Sequence, residues 1–164
     1  MEVRYLMKQL AKRISESDRT RLTSSAIADS LFGLQGMTSN VPEVQELAGE
    51  LAKKVSASTA ELTPEQIGRC LFGLQGLSSS ASIIEESALG LDSDEVQFLV
   101  STLWDKVKLC RQPMTLEDIA LGFQGIGQLR DPIAENLRQY MYYQVITMDP
   151  ELAGMTYTTA DPSE

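Results

Sequence analysis

Residues 31–36 read LFGLQG, and residues 71–76 read LFGLQG again, an identical hexapeptide at an offset of 40. The correspondence extends outward: Leu22-Thr23 matches Leu62-Thr63, Ile27 matches Ile67, and Met37 matches Leu77. From Met114 a third, weaker copy follows at an offset of 52, with Ile119, Ala120, Phe123, Gly125, Ile126 and Leu129 on the columns of Ile67, Gly68, Leu71, Gly73, Leu74 and Leu77. Apolar residues recur at i, i+4 and i+7, as in Ile27, Leu31 and Leu34, which is the period of an amphipathic helix and not of a strand. Thr63-Pro64-Glu65-Gln66 carries a capping hydroxyl, a first-turn proline and a glutamine three places on, a helix-start signal that Thr115 and Asp118 copy with a shorter acid. We call this element helix A. Gly33, Gly73 and Gly125 are expected inside it, allowing close approach of a neighbouring helix, and Gly36 and Gly76 are expected as left-handed caps.

A second amphipathic template follows each helix A. Glu43, Val44, Leu47, Leu51 and Val55 match Glu95, Val96, Leu99, Leu103 and Val107 at a constant offset of 52, and Ala134, Leu137, Met141 and Val145 give a third copy. Glu2, Val3, Leu6, Leu10 and Ile14 fit the same template at an offset of 41, so the basic N-terminal segment reads as a helix B and not as a targeting peptide. The expected fold is all-α: a short α-solenoid of antiparallel helix pairs, about seven helices in the order B-AB-AB-AB, with each pair burying its face on the next. One repeat domain spans 1–145, divided into an N-terminal helix (1–19) and repeats at 20–59, 60–111 and 112–145. The first helix reads equally as a capping helix or as part of a longer array. Repeat 2 holds an inserted loop at 78–92, SSSASIIEESALGLD, which reads either as a binding segment or as a tolerated surface loop. The segment 146–164 has four acidic residues, no basic residue and two prolines, and is expected as an extended or disordered tail.

Composition narrows the function. The 164 residues contain 14 Lys plus Arg against 23 Asp plus Glu, a formal net charge of -9, and no histidine. Histidine-dependent nucleophilic pairs, His metal ligands and histidine pH switches are therefore excluded. No catalytic, cofactor-binding or metal residue is assigned and no cofactor is expected. Two cysteines, Cys70 and Cys110, do not make a disulfide scaffold and suit a reducing interior. Apolar runs are far shorter than the roughly 20 residues of a membrane span, so membrane association is expected only peripherally, through a complex.

The helix A pattern, I-A-x-x-L-F-G-L-Q-G-M at 27–37 and I-G-x-x-L-F-G-L-Q-G-L at 67–77, resembles the octotricopeptide repeat of organelles, a paired-helix unit of about 38 residues. It is similar as well to the tandem F/Y-G-L-Q-G-M repeats of dinoflagellate-type algal proteins. The resemblance implies a location in a plastid or mitochondrion and either of two roles: RNA-binding or ribosome-associated factor, or structural subunit of an organellar assembly. The chain departs from the family pattern in having Gly at its usual Ala column and in carrying no appended catalytic domain.

Charge weighs between the two roles. Across 22–37, 62–77 and 114–129 the single basic residue, Arg69, is outnumbered by Asp29, Glu65, Glu117 and Asp118, unlike a groove that tracks a phosphate backbone. The leading expectation is thus a non-enzymatic protein-protein interaction or scaffold module whose partners are other subunits of a larger assembly; RNA binding is the alternative. Candidate partner contacts are Trp104, Tyr140, Tyr142 and Tyr143, for which a packed groove and a closed cap are the other readings. Arg4, Lys8, Lys12 and Arg13 are candidate anionic contacts, and Gln35, Gln75 and Arg69 are candidate polar contacts on the repeat face.

Overall fold

A computed structural model of the chain describes residues 2–17, 22–77 and 93–148. Seven helices account for most of them, and no strand occurs among the described residues: α1 (Glu2–Glu16), α2 (Ser24–Phe32), α3 (Pro42–Ala57), α4 (Pro64–Phe72), α5 (Asp94–Leu109), α6 (Leu116–Ile126) and α7 (Pro132–Met148). Hydroxyl caps start four of them. Thr23, Thr63, Ser93 and Thr115 accept from the backbone N–H three residues on, satisfying donors that the first helical turn leaves unpaired. At Thr63 and Thr115 the cap is reciprocal, with Gln66 and Asp118 accepting in turn from the backbone N–H of the threonine. The shorter acid at 118 closes the box as well as glutamine does at 66.

The helices pack in two files. In one, α2 lies on α4 and α4 on α6; in the other, α1 lies on α3, α3 on α5 and α5 on α7. Contact across the files runs between α6 and α7 and, more sparsely, between α2 and α3. Ile27, Leu31, Ile67, Leu71 and Ile126 are buried from the first file, and Leu47, Leu51, Leu99, Leu103 and Leu137 from the second. Each such side chain contributes on the order of 1.5–3 kcal/mol by leaving water.

Three expectations need correction. Gly33 and Gly73 are not inside helices: α2 and α4 end at Phe32 and Phe72, and both glycines are C-caps with right-handed φ of -65° and -60°. The chain then tightens into i to i+3 bonds, Leu34 N–H to Leu31 O and Leu74 N–H to Leu71 O at 3.0 Å each. Only Gly125 is interior, because α6 runs on to Ile126. Gly36 has the left-handed φ of 77° expected of it, whereas Gly76 does not. Gly76 instead lies so near the Met37 carbonyl that a Cβ would overlap it, so lack of a side chain serves packing there and not backbone conformation. The last helix also passes residue 145 and ends at Met148. The inserted loop at 78–92 and the tail from 149 onward lie outside the described residues.

Candidate interaction surfaces

The joint between α2 and α4 is built from one position in each LFGLQG segment. A Cβ on Gly73 would overlap the Leu31 carbonyl, and one on Gly125 would overlap the Leu71 carbonyl in the α4–α6 joint. Glycine thus lets the helix end of one element rest directly on the backbone of the next. Beside it Phe32 and Phe72 stack at 5.7 Å and 26°. Arg69 lies 5.0 Å from the Phe32 ring centre and bonds Asp29 at 2.9 Å. Arg69 is consequently a contact between helices that donates one bond to Asp29 and lies over Phe32, and it does not extend as a bare cation from this face. Of the other two polar candidates, Gln35 is exposed and Gln75 half-buried. Gln66, which sequence reasoning used only as a cap, also reaches Ser24 Oγ at 3.3 Å and so ties α4 to the start of α2.

Cys70 sits in this joint, fully buried. Burial pushes its thiol up to about 12, with Arg69 lowering and Asp29 raising it further. A thiol so placed is a small core side chain and not a nucleophile.

The aromatic candidates divide. Trp104 of α5 and Tyr140 of α7 meet edge to face at 5.8 Å and 75°, with the Lys108 ammonium 5.6 Å from the indole centre. Burial, and to a lesser degree Cys110, raises the Tyr140 hydroxyl pKa. These two rings hold α5 to α7, while Tyr142 and Tyr143 are exposed.

Arg4, Lys8, Lys12 and Arg13 are all exposed on α1, and Lys12 makes a solvent-facing ion pair with Glu16 at 3.8 Å. The same helix exposes Val3, Tyr5, Leu6 and Leu10. Two apolar grooves run along it. One, of about 360 Å³, lies between Val3 and Met7 of α1 and Met37, Val41 and Val44; the other, of about 190 Å³, lies between Leu10 and Ile14 of α1 and Leu22, Ser30 and Leu51. Arg4 and Arg13 stand at their edges.

Sequence reasoning missed two straps. Lys106 of α5 donates to the Ser58 carbonyl and, at 3.3 Å, to that of Ala60; Lys54 of α3 donates to the Ser17 carbonyl at 2.6 Å. Each lysine thus clamps the segment that follows the preceding helix of its file. The signal was present, since 54 and 106 differ by the same 52 that relates the two helix templates.

Among the described residues no group of three His, Cys, Asp or Glu side chains is placed to hold a metal, and no helix is long and apolar enough to cross a membrane. Comparison with protein-family models, curated proteins and solved structures returns no match.

Proposed function

We propose that this chain is a short α-solenoid of antiparallel helix pairs acting as a non-enzymatic protein-protein interaction module, an accessory or scaffold subunit of a larger organellar assembly. The observation that carries the reading is an uncovered core face. Leu6 and Leu10 of α1 are 53% and 41% exposed, whereas Leu47 and Leu51, their counterparts on α3, are each 4% exposed. The same template that packs a core on α3 is presented to solvent on α1, beside two apolar grooves, and such a face favours a protein occupant. The absence of histidine supports a non-enzymatic role. The organellar setting rests on the octotricopeptide resemblance.

The RNA-binding reading has one observation in its favour, the four exposed cations of α1. Against it, Asp29, Glu65 and Glu117 are exposed along the other file, where Arg69 already bonds Asp29. Purification of the native chain after nuclease treatment tests the proposal: a stoichiometric protein complex is expected. Nanomolar binding of single-stranded RNA that weakens steeply between 50 and 200 mM salt would overturn it.

A further inference from the structure

We propose that the two open edges of the described helix files are complementary halves of one joint, through which a second copy of this chain docks head to tail. This deepens the interaction reading and rests on it. The joint is already made twice within the chain: α2 seats Leu31 and Phe32 on Gly73 of α4, and α4 seats Leu71 and Phe72 on Gly125 of α6. Each such joint has a seating edge and a receiving glycine. At one end of the file the receiving edge is open. Gly33, at the position of Gly73 and Gly125, is exposed, and a Cβ there would meet only carbonyls of its own helix, at 3.4 Å.

At the other end the seating edge is open. Ala28 and Gly68 are buried, but Ala120 at the same position of α6 is exposed; Leu31 and Leu71 are buried, but Phe123 is only half-buried. Leu116, one turn earlier, is 61% exposed. The second file ends in the same sense. Tyr142 of α7 stands at the position of Trp104, the residue by which α5 grips α7, and Tyr142 and Tyr143 face solvent. Opposite them a docked copy would present α1 with its bare Leu6 and Leu10 and the flanking grooves.

The repeated joint selects the orientation, since a seating edge fits a receiving glycine and not another seating edge. Residues 2–16 hold four basic and two acidic side chains, all exposed, so pairing two α1 ends face to face would set like charges together. Across 116–148 Asp118 and Asp131 are buried, which leaves Glu117 and Glu135 balanced by Arg130 and Arg138, so head-to-tail docking opposes no like-signed surface. The internal Asp29–Arg69 bond has no counterpart in the new joint, where Leu121 of α6 would stand opposite Asp29 of the next copy. Association is accordingly expected to be weak. Because the contact is heterologous it does not close on two copies, and growth continues to open chains.

Sedimentation velocity of the full chain from 1 µM to 1 mM in 50 mM salt provides the test, with Gly33→Leu blocking the receiving edge and Ala120→Arg the seating edge. Both positions are exposed, and both variants are expected to keep wild-type helicity, which circular dichroism checks. Wild type should grow with concentration beyond a dimer. Each variant alone should remain monomeric, and an equimolar mixture should give a dimer and nothing larger, since one intact edge of each kind survives. A wild-type monomer at 1 mM overturns the proposal, as does a dimer that neither variant affects, or a mixture that stays monomeric. Those outcomes leave the interaction reading standing if a foreign protein co-purifies stoichiometrically; RNA binding, measured separately, removes that reading itself.

Discussion

Gly33, Gly73 and Gly125 share one position of the repeated pattern, but Gly73 and Gly125 face a neighbouring backbone and Gly33 does not, which makes them a sharp test of the packing. A methyl group on Gly73 or Gly125 would overlap a backbone carbonyl that has no rotamer with which to yield. Gly73→Ala and Gly125→Ala should each cost about 3 kcal/mol in urea unfolding. Gly33→Ala meets no neighbouring helix and should stay within about 0.5 kcal/mol of wild type. Equal effects at all three positions would contradict the arrangement. Cys70 supplies a second residue-level test. Below pH 9.0, the ordinary thiol value, Cys70 is neutral in both folded and unfolded chains. Above it the unfolded chain releases a proton that the folded chain retains up to about pH 12. The unfolded state then binds fewer protons, so its contribution to stability falls by about 1.4 kcal/mol per pH unit across that window. The slope of unfolding free energy between pH 9 and 11 should therefore be shallower in Cys70→Ala than in wild type; parallel slopes would place the thiol in water.

Elements were the most legible scale. Apolar spacing marks all seven helices and hydroxyl caps start four of them, because a helix start and an amphipathic face are local properties of a few neighbouring residues. Helix ends were less legible. Whether Gly33 lies inside a helix or caps it depends on the turn that follows, and the same LFGLQG string gives Gly36 a left-handed φ while Gly76 lies against Met37. The lysine straps were hidden for a related reason, since Lys54 and Lys106 look like solvated charges until Ser17 and Ser58 are brought to them across 37 and 48 residues. Lys106 is buried with its ammonium on two carbonyls. Lys106→Met should cost about 2 kcal/mol in thermal or chemical unfolding, because two carbonyls lose a charged donor in a largely buried site. Lys53 offers the control: its 2.7 Å bond to Glu50 lies on the solvent side, and Lys53→Met should change stability by no more than about 0.5 kcal/mol. Equivalent losses at the two lysines would mean that Lys106 is not strapped.

For the molecule as a whole, files of helices that touch only their neighbours make stability local. The sequence template placed Leu6 and Leu10 with Leu47 and Leu51 as one class of core residue, and could not say which of them would be covered, because cover is a property of the neighbour and not of the helix itself. The structure separates them: α1 buries only Met7 and Ala11 and rests on α3, whereas α4 sits between α2 and α6 and makes the most extensive joint with α6. Opening α1 exposes little apolar surface, and opening α4 exposes two joints. Amide hydrogen exchange at 1 µM, where self-association is suppressed, should therefore rank α1 as the fastest to exchange and α4 and α6 as the slowest. Ala11→Asp, which sets a charge against α3, should accelerate exchange in α1 while leaving α4 and α6 within about threefold of wild type, since α1 packs extensively only on α3. Uniform acceleration across all seven helices would show one cooperative globule in place of neighbour-by-neighbour stability. Slower α1 exchange at 1 mM than at 1 µM, with Gly33→Leu abolishing the difference, would tie the exposed leucines of α1 to the joint that the second copy closes.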